Sequence, residues 1–201
     1  MKACLLDLGL GNLLSIRRGL ERAGAEVTVA DRDPAGRDNA DVVVLPGVGA
    51  FRDGAAALER FGALLGQVRE GRKPLLGICL GMQLLFSKSF EGGEYKGLDL
   101  IKGEVMLLPK SVKVPQMGWN SISATRDTPL LKGIKDYEFF YFVHSYYCRP
   151  EEDIVVAECR YGTTIPAIVK KGNIYGTQFH PEKSGRAGLI FLKNFLEDAK
   201  R

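Results

Sequence analysis

The chain has 201 residues, 45% of them hydrophobic, and its 28 basic and 24 acidic side chains give a formal net charge of +4. That length and composition fit one globular domain, residues 1–201, with a full core. The charge is too mild and too evenly interspersed for a nucleic-acid surface, and no apolar run approaches the ~18 residues of a membrane-spanning helix.

The opening MKACLLDLGLGNLL has a lysine before an apolar stretch, as a secretory leader does, but Asp7 interrupts it and no small-x-small cleavage site follows. A cytoplasmic protein is expected. Ala3 to Leu8 reads as a buried strand and Gly9-Leu10-Gly11-Asn12 as a turn. Asn12 suits the N-cap of a helix whose apolar positions are Leu13, Ile16, Leu20 and Ala23, and Gly24 stops that helix. Leu14 stands where a dinucleotide fingerprint needs its third glycine, so the Gly9-x-Gly11 turn is read as a tight turn with no cofactor. Glu26 to Ala30 is a second strand and Asp31 to Ala40 a polar loop. Val42 to Leu45 is a third strand ending in Pro46-Gly47-Val48-Gly49. Phe51 to Glu70 is mostly helical, with Gly62 and Gly66 as weak points.

Lys73 to Phe86, KPLLGICLGMQLLF, combines a strand-length run, Pro74 to Ile78, with a helix-forming run, Met82 to Phe86. Between them, Gly77-Ile78-Cys79-Leu80-Gly81 follows the G-x-nucleophile-x-G pattern of a strand-to-helix elbow, with cysteine as the nucleophile. A Cβ on either flanking residue would clash in so sharp a turn. The turn puts Cys79 at a helix N-terminus, which favours a thiolate, and aims the Leu80 N–H at an oxyanion formed beside the sulfur. Gln83 lies one helical turn beyond Cys79 on the same face and is assigned to holding substrate.

The order so far, β-α-β-β-α-β-α, predicts an α/β fold with a flavodoxin-like, doubly wound, mostly parallel sheet. The Gly9–Asn12, Pro46–Gly49 and Cys79 segments then meet at the carboxyl ends of the strands. Past the loop Phe90–Gly93 the pattern changes to strands linked by turns. Strands are expected over Gly103–Leu108, Trp119–Ala124, Glu138–Cys148, Ile154–Tyr161, Ile165–Lys170 and Ile174–Phe179. They predict an antiparallel section attached to the parallel sheet. Gly185 to Lys200 closes the chain as a helix with Leu189, Leu192, Phe195, Leu196 and Ala199 inward.

The four cysteines, Cys4, Cys79, Cys148 and Cys159, show no zinc spacing, so no metal is expected. Cys4, Cys148 and Cys159 are read as reduced core or sheet residues. Of the two histidines, His144 sits among aromatic residues and reads as a wall residue. His180, in Gln178-Phe179-His180-Pro181-Glu182-Lys183, has a carboxylate two positions on. In an extended segment residues i and i+2 face the same way, so Glu182 orients the imidazole, the arrangement that a thiol nucleophile needs.

Taken together, GICLGMQLLF and GTQFHPEKS resemble the nucleophile and base segments of the class I glutamine amidotransferases, in the right order and far apart. LPGVGAF (Leu45–Phe51), PQMGWN (Pro115–Asn120) and YFVHSYY (Tyr141–Tyr147) resemble the glutaminase subunits of imidazole glycerol phosphate synthases, as does DLGLGNLLSI near the start. The resemblance implies a catalytic triad of Cys79, His180 and Glu182, an oxyanion hole from Gly49 and Leu80, and substrate contacts at Gly47, Gln83, Ser145 and Tyr146. It implies a (β/α)8-barrel cyclase partner that uses the ammonia in histidine biosynthesis. The expected contact face is the crevice rim, Asn12, Trp119, Asn120, Tyr141 and Lys183. No cofactor is implied. Readings left open by the residues are an anthranilate- or pyridoxal-phosphate-type glutaminase subunit, a cysteine hydrolase of esters or peptides, and a redox-sensing protein on the same scaffold. The two glycines around Val48 let the 48–49 peptide rotate, which predicts an oxyanion hole that the partner switches on.

Overall fold

The computed structural model describes residues 1–34 and 39–200. The first half runs β1 (Lys2–Leu6), α1 (Leu13–Ala23), β2 (Glu26–Ala30), β3 (Val42–Leu45), α2 (Phe51–Ala57), α3 (Gly62–Arg69), β4 (Leu75–Ile78) and α4 (Leu80–Gln83). The second half runs β5 (Phe86–Ser89), β6 (Tyr95–Lys96), β7 (Ile101–Leu107), β8 (Gln116–Ala124), β9 (Glu138–His144), β10 (Tyr146–Pro150), β11 (Val155–Arg160), β12 (Thr164–Lys171), β13 (Ile174–Thr177) and α5 (Gly185–Asp198).

The larger sheet has the order β2-β1-β3-β4-β13-β12-β11-β8-β9. From β2 to β13 its neighbours are parallel, and from β13 to β9 they are antiparallel. β3, β4 and β13 are buried throughout, as strands covered on both faces must be. Side chains alternate between two cores. Ala3, Leu5, Val42 and Val44 face α1 and α5, while Cys4, Leu6, Val43 and Leu45 face α2 and α3. The doubly wound α/β expectation is met, with its antiparallel section continuing the same sheet.

Helix ends follow their local chemistry. Asn12 Oδ1 accepts from the Ser15 N–H at 3.4 Å, and Gly24 takes φ 101° to close α1. The expected helix over Phe51–Glu70 is divided by a 3₁₀ turn at Leu58–Phe61, with Gly62 opening α3. Of the expected loop Asp31–Ala40, residues 35–38 lie outside the described ones. α5 buries Leu192, Phe195 and Leu196 as expected, together with Phe191 and Gly188, whereas Leu189 and Ala199 are half-buried.

Two expectations are corrected. The helix after Cys79 is a single turn, and Phe86 begins β5 instead of ending the helix. The reason is tertiary: the Leu98 and Leu100 amides donate to the carbonyls of Leu84 and Leu85, and β5 pairs with β7. The expected strand Glu138–Cys148 is two strands, interrupted at Ser145, where the chain passes from one sheet to another. A second sheet of order β10-β7-β5-β6 therefore stands beside the first. Among the described residues no helix is long and apolar enough to cross a membrane.

Candidate active site

Cys79 sits at the elbow between β4 and α4 with φ 53° and ψ −108°, a conformation that costs a non-glycine residue strain. Its neighbours allow it. A Cβ on Gly81 would lie 1.9 Å from the Leu45 oxygen, and one on Gly77 would lie 2.6 Å from the Gly81 oxygen. Both flanking glycines are therefore required by contact as the sequence pattern demands. The Cys79 N–H donates to Thr177 O of β13 at 2.7 Å, which fixes the elbow to the adjacent strand.

The sulfur opens on a cavity of about 280 Å³ lined by Val48, Gly49, Cys79, Leu80, Gln83, Glu91, Pro115, Val143, His144, Ser145 and Tyr146. Behind the sulfur lies His180, 1% exposed, whose Nδ1 is 2.8 Å from Glu182 Oε1. Its Nε2 is buried on the Cys79 side and makes no other hydrogen bond among the described residues. Burial depresses the His180 pKa, but the charge on the Cys79 sulfur and the Glu182 carboxylate outweigh it, and the net shift is upward. The backbone of His180 is held too. Its N–H donates to Tyr141 O at 2.9 Å, and its carbonyl accepts from Ser184 Oγ at 2.7 Å. The pairing of His180 with Glu182 is as expected, but its geometry is not. His180 is extended, whereas Pro181–Lys183 is a 3₁₀ turn, so the turn and not an extended segment brings the carboxylate round to the ring.

His144 is in the cavity wall. Its Nδ1 lies 2.8 Å from Tyr146 O, an acceptor, so Nδ1 carries the proton. Burial, together with the nearby His180, outweighs that bond and lowers the pKa to about 4, which keeps the ring neutral near pH 7. Gln83 also builds the wall, its amide nitrogen donating to Tyr146 O at 2.9 Å and to Gln178 Oε1 at 3.3 Å. Gln178 in turn places its amide nitrogen 3.7 Å from Cys79 Sγ. Ser145 and Tyr146 line the cavity. Gly47 does not, and its carbonyl instead accepts the Leu80 N–H at 3.3 Å. The donor expected to face an oxyanion is thus engaged in this state.

Gln178 and Glu91 escaped the sequence reading. Gln178 had a signal, being two residues before His180 in a terminal strand segment. Glu91 had none, because the strand that delivers it was not foreseen. The other three cysteines are buried, and no disulfide forms among the described residues. Burial, with the nearby Cys79, raises the Cys148 pKa well above its usual value, and burial also pushes Cys159 up to about 12.

Beside the cavity, β8 and β9 present an apolar face. Trp119 pairs with Tyr141 across the strands, edge-to-face with ring centroids 6.0 Å apart, and Lys183 Nζ stands 5.9 Å from the Tyr141 ring. Trp119, Met117 and Phe139 are more than half exposed, at 57%, 66% and 55%. Asn12 is exposed at the start of α1. Asn120 does not join this face, since strand alternation turns it away and its amide donates to Arg160 O at 3.1 Å.

The model of the family "Glutamine amidotransferase class-I" matches residues 4–199. The chain belongs to the class I glutamine amidotransferases. It is 51% identical to the imidazole glycerol phosphate synthase subunit HisH of Moorella thermoacetica over 96% of this chain and 93% of that one. It is 50% identical to the HisH subunit of Methanosarcina mazei over 96% of each. Within the class, it falls in the family of these HisH subunits. Solved structures share the fold at lower identity. One described as the structure of PurLQS from Thermotoga maritima has a TM-score of 0.78 at 23% identity and covers 98% of both chains. Another, described as a glutamine amidotransferase, has a TM-score of 0.77 at 20% identity and covers 99% of both.

Proposed function

We propose that this chain hydrolyses glutamine to glutamate and ammonia, as one cytoplasmic domain, and passes the ammonia to a (β/α)8-barrel cyclase. The cyclase would make imidazole glycerol phosphate and an aminoimidazole carboxamide ribonucleotide. One observation carries the reading. In a chain of this family, a strained cysteine faces a cavity with a buried histidine–carboxylate pair behind it.

Cys79 Sγ attacks the γ-amide carbon, and the oxyanion is held by the Leu80 and Gly49 N–H groups. His180, oriented through Nδ1 by Glu182, gives its Nε2 proton to the leaving nitrogen, so the C–N bond breaks and a γ-glutamyl thioester remains. The same nitrogen then takes a proton from water, which attacks the thioester and releases glutamate and the thiol. Ser145, Tyr146 and Gln83 shape the substrate cavity, and Gly47 sets the loop that carries the second oxyanion donor. Free ammonia is mostly protonated at neutral pH and diffuses away, which favours direct transfer. The partner would dock on Asn12, Trp119, Tyr141 and Lys183, with Trp119 as the anchor.

Cys79→Ala should abolish glutamate release, because it deletes the nucleophile and leaves the packing nearly unchanged. With the cyclase present, added ammonium salt should still support its product formation. Glutamate release that survives the substitution would overturn the mechanism.

A further inference from the structure

The segment that must supply the second oxyanion donor has no means of fixing its own end. Pro46-Gly47-Val48-Gly49-Ala50 contains no side chain able to cap the helix that follows it. Ala50, at the N-cap of α2, makes no side-chain cap bond. The cap comes from elsewhere: Glu91 Oε2 accepts the Phe51 N–H at 2.7 Å, across 40 positions of sequence. Phe51 is two residues beyond Gly49. Glu91 is itself held at the end of β5, its N–H donating to Ser89 Oγ at 3.2 Å, and Ser89 is fully buried. The same residue lines the Cys79 cavity, and its charge contributes to raising the Tyr146 pKa after the larger effect of burial.

We propose that Glu91 is a positioning residue for the oxyanion hole, its carboxylate fixing the Phe51 amide and thereby the far end of the segment, against which the Val48–Gly49 peptide turns. An oxyanion donor works only within a window about 0.4 Å wide, roughly 2.7–3.1 Å from the oxygen. A segment with two glycines cannot hold that tolerance unless it is anchored on both sides. On the Cys79 side it is held by close packing of Gly47 on the elbow, where an added Cβ would lie 2.7 Å from Leu80 Cβ and 3.0 Å from the Gly81 nitrogen. On the other side the anchor is Glu91. This inference rests on the glutaminase reading of Cys79.

The cavity-facing carboxylate could also act directly on a cationic substrate, so the probe must carry no charge. p-Nitrophenyl acetate meets this need. Attack by Cys79 forms the S–C bond, expels p-nitrophenolate and leaves an acetyl thioester that water hydrolyses. The rate of interest is the part lost in Cys79→Ala, measured on the complex with the cyclase and normalised to titratable Cys79. Glu91→Ala should lower the kcat of this part at least tenfold with little change in KM. Glu91→Gln retains an oxygen that can accept from Phe51 and should recover most of that loss. Glu91→Asp retains the charge but falls one methylene short, and it should behave like Glu91→Ala. Equal ester kcat in the Ala, Asp and Gln variants, or Asp recovering better than Gln, would overturn the positioning role. Absence of any Cys79-dependent ester turnover in the unsubstituted protein would instead strike the nucleophile assignment, and with it this inference.

Discussion

Replacing Gly49 by alanine should raise, not lower, glutamine hydrolysis by the chain without its partner. Gly49 has φ +111°, outside the regions open to an L-residue. In the same state the Leu80 N–H is spent on the Gly47 carbonyl at 3.3 Å. Rotating the 48–49 peptide by ~180° carries φ of residue 49 to about −70°, which any residue accepts. An alanine side chain therefore penalises the resting state alone, by about 1–2 kcal/mol. Space is not the obstacle, because the nearest atom to an added Cβ is Leu10 Cδ2 at 3.6 Å. A shift of that size changes the ratio of the two states about 5–30-fold. Partner-free activity should rise by that factor, up to the roughly 10²–10³ that one oxyanion donor contributes. The assay is steady-state glutamate release by the chain alone and with cyclase and nucleotide, and the stimulated rate should change much less than the basal one. A basal rate that is unchanged or reduced, in a protein that still labels at Cys79, would refute a resting peptide orientation at Gly49. Gly49→Pro suits the rotated geometry but removes the N–H, so it should stay at the basal level even with partner.

His180→Asn should approach the defect of Cys79→Ala, while Glu182→Gln should be milder, since the ring and its Nε2 remain. Single-turnover kinetics of thioester formation would order them, and a larger effect from His144→Asn would reverse the assignment of the base. His144 also predicts a pH signature. With its folded pKa lowered from 6.5 to about 4, the native state has this group's full stability above about pH 6.5 and loses it as pH falls towards 4. The increment is roughly 3 kcal/mol. Denaturant unfolding between pH 7 and 4 should show a shallower loss in His144→Gln, and parallel curves would count against the assignment.

The parallel half of the fold was legible because each of its strands is a short apolar run closed by glycine or a polar turn, and because Gly77 and Gly81 mark the elbow. The triad candidates were legible for a related reason, as each sits at a strand end with its glycine or proline beside it. The second sheet was not legible. Leu84-Leu85-Phe86 is apolar throughout, and no periodicity tells a helix end from a buried strand. The switch at Ser145 also lies inside a continuous aromatic run, where only the pairing partners distinguish the two sheets. Glu91 was lost with β5, because a glutamate before two glycines reads as an exposed loop until the strand behind it is known.

Tyr141 has two lives. Its ring lies beside Trp119 and Lys183 on the proposed docking face, while its backbone oxygen accepts from His180 N–H and its N–H donates to Ser184 Oγ at 3.0 Å. Tyr141's part in holding His180 is made entirely by its main-chain atoms, which every residue except proline supplies in full. The chemistry is thereby insulated from the side-chain alphabet at that position. A lineage could rewrite residue 141 to follow a drifting partner and inherit the same placement of the base each time, so recognition is free to evolve at a site where catalysis is already paid up.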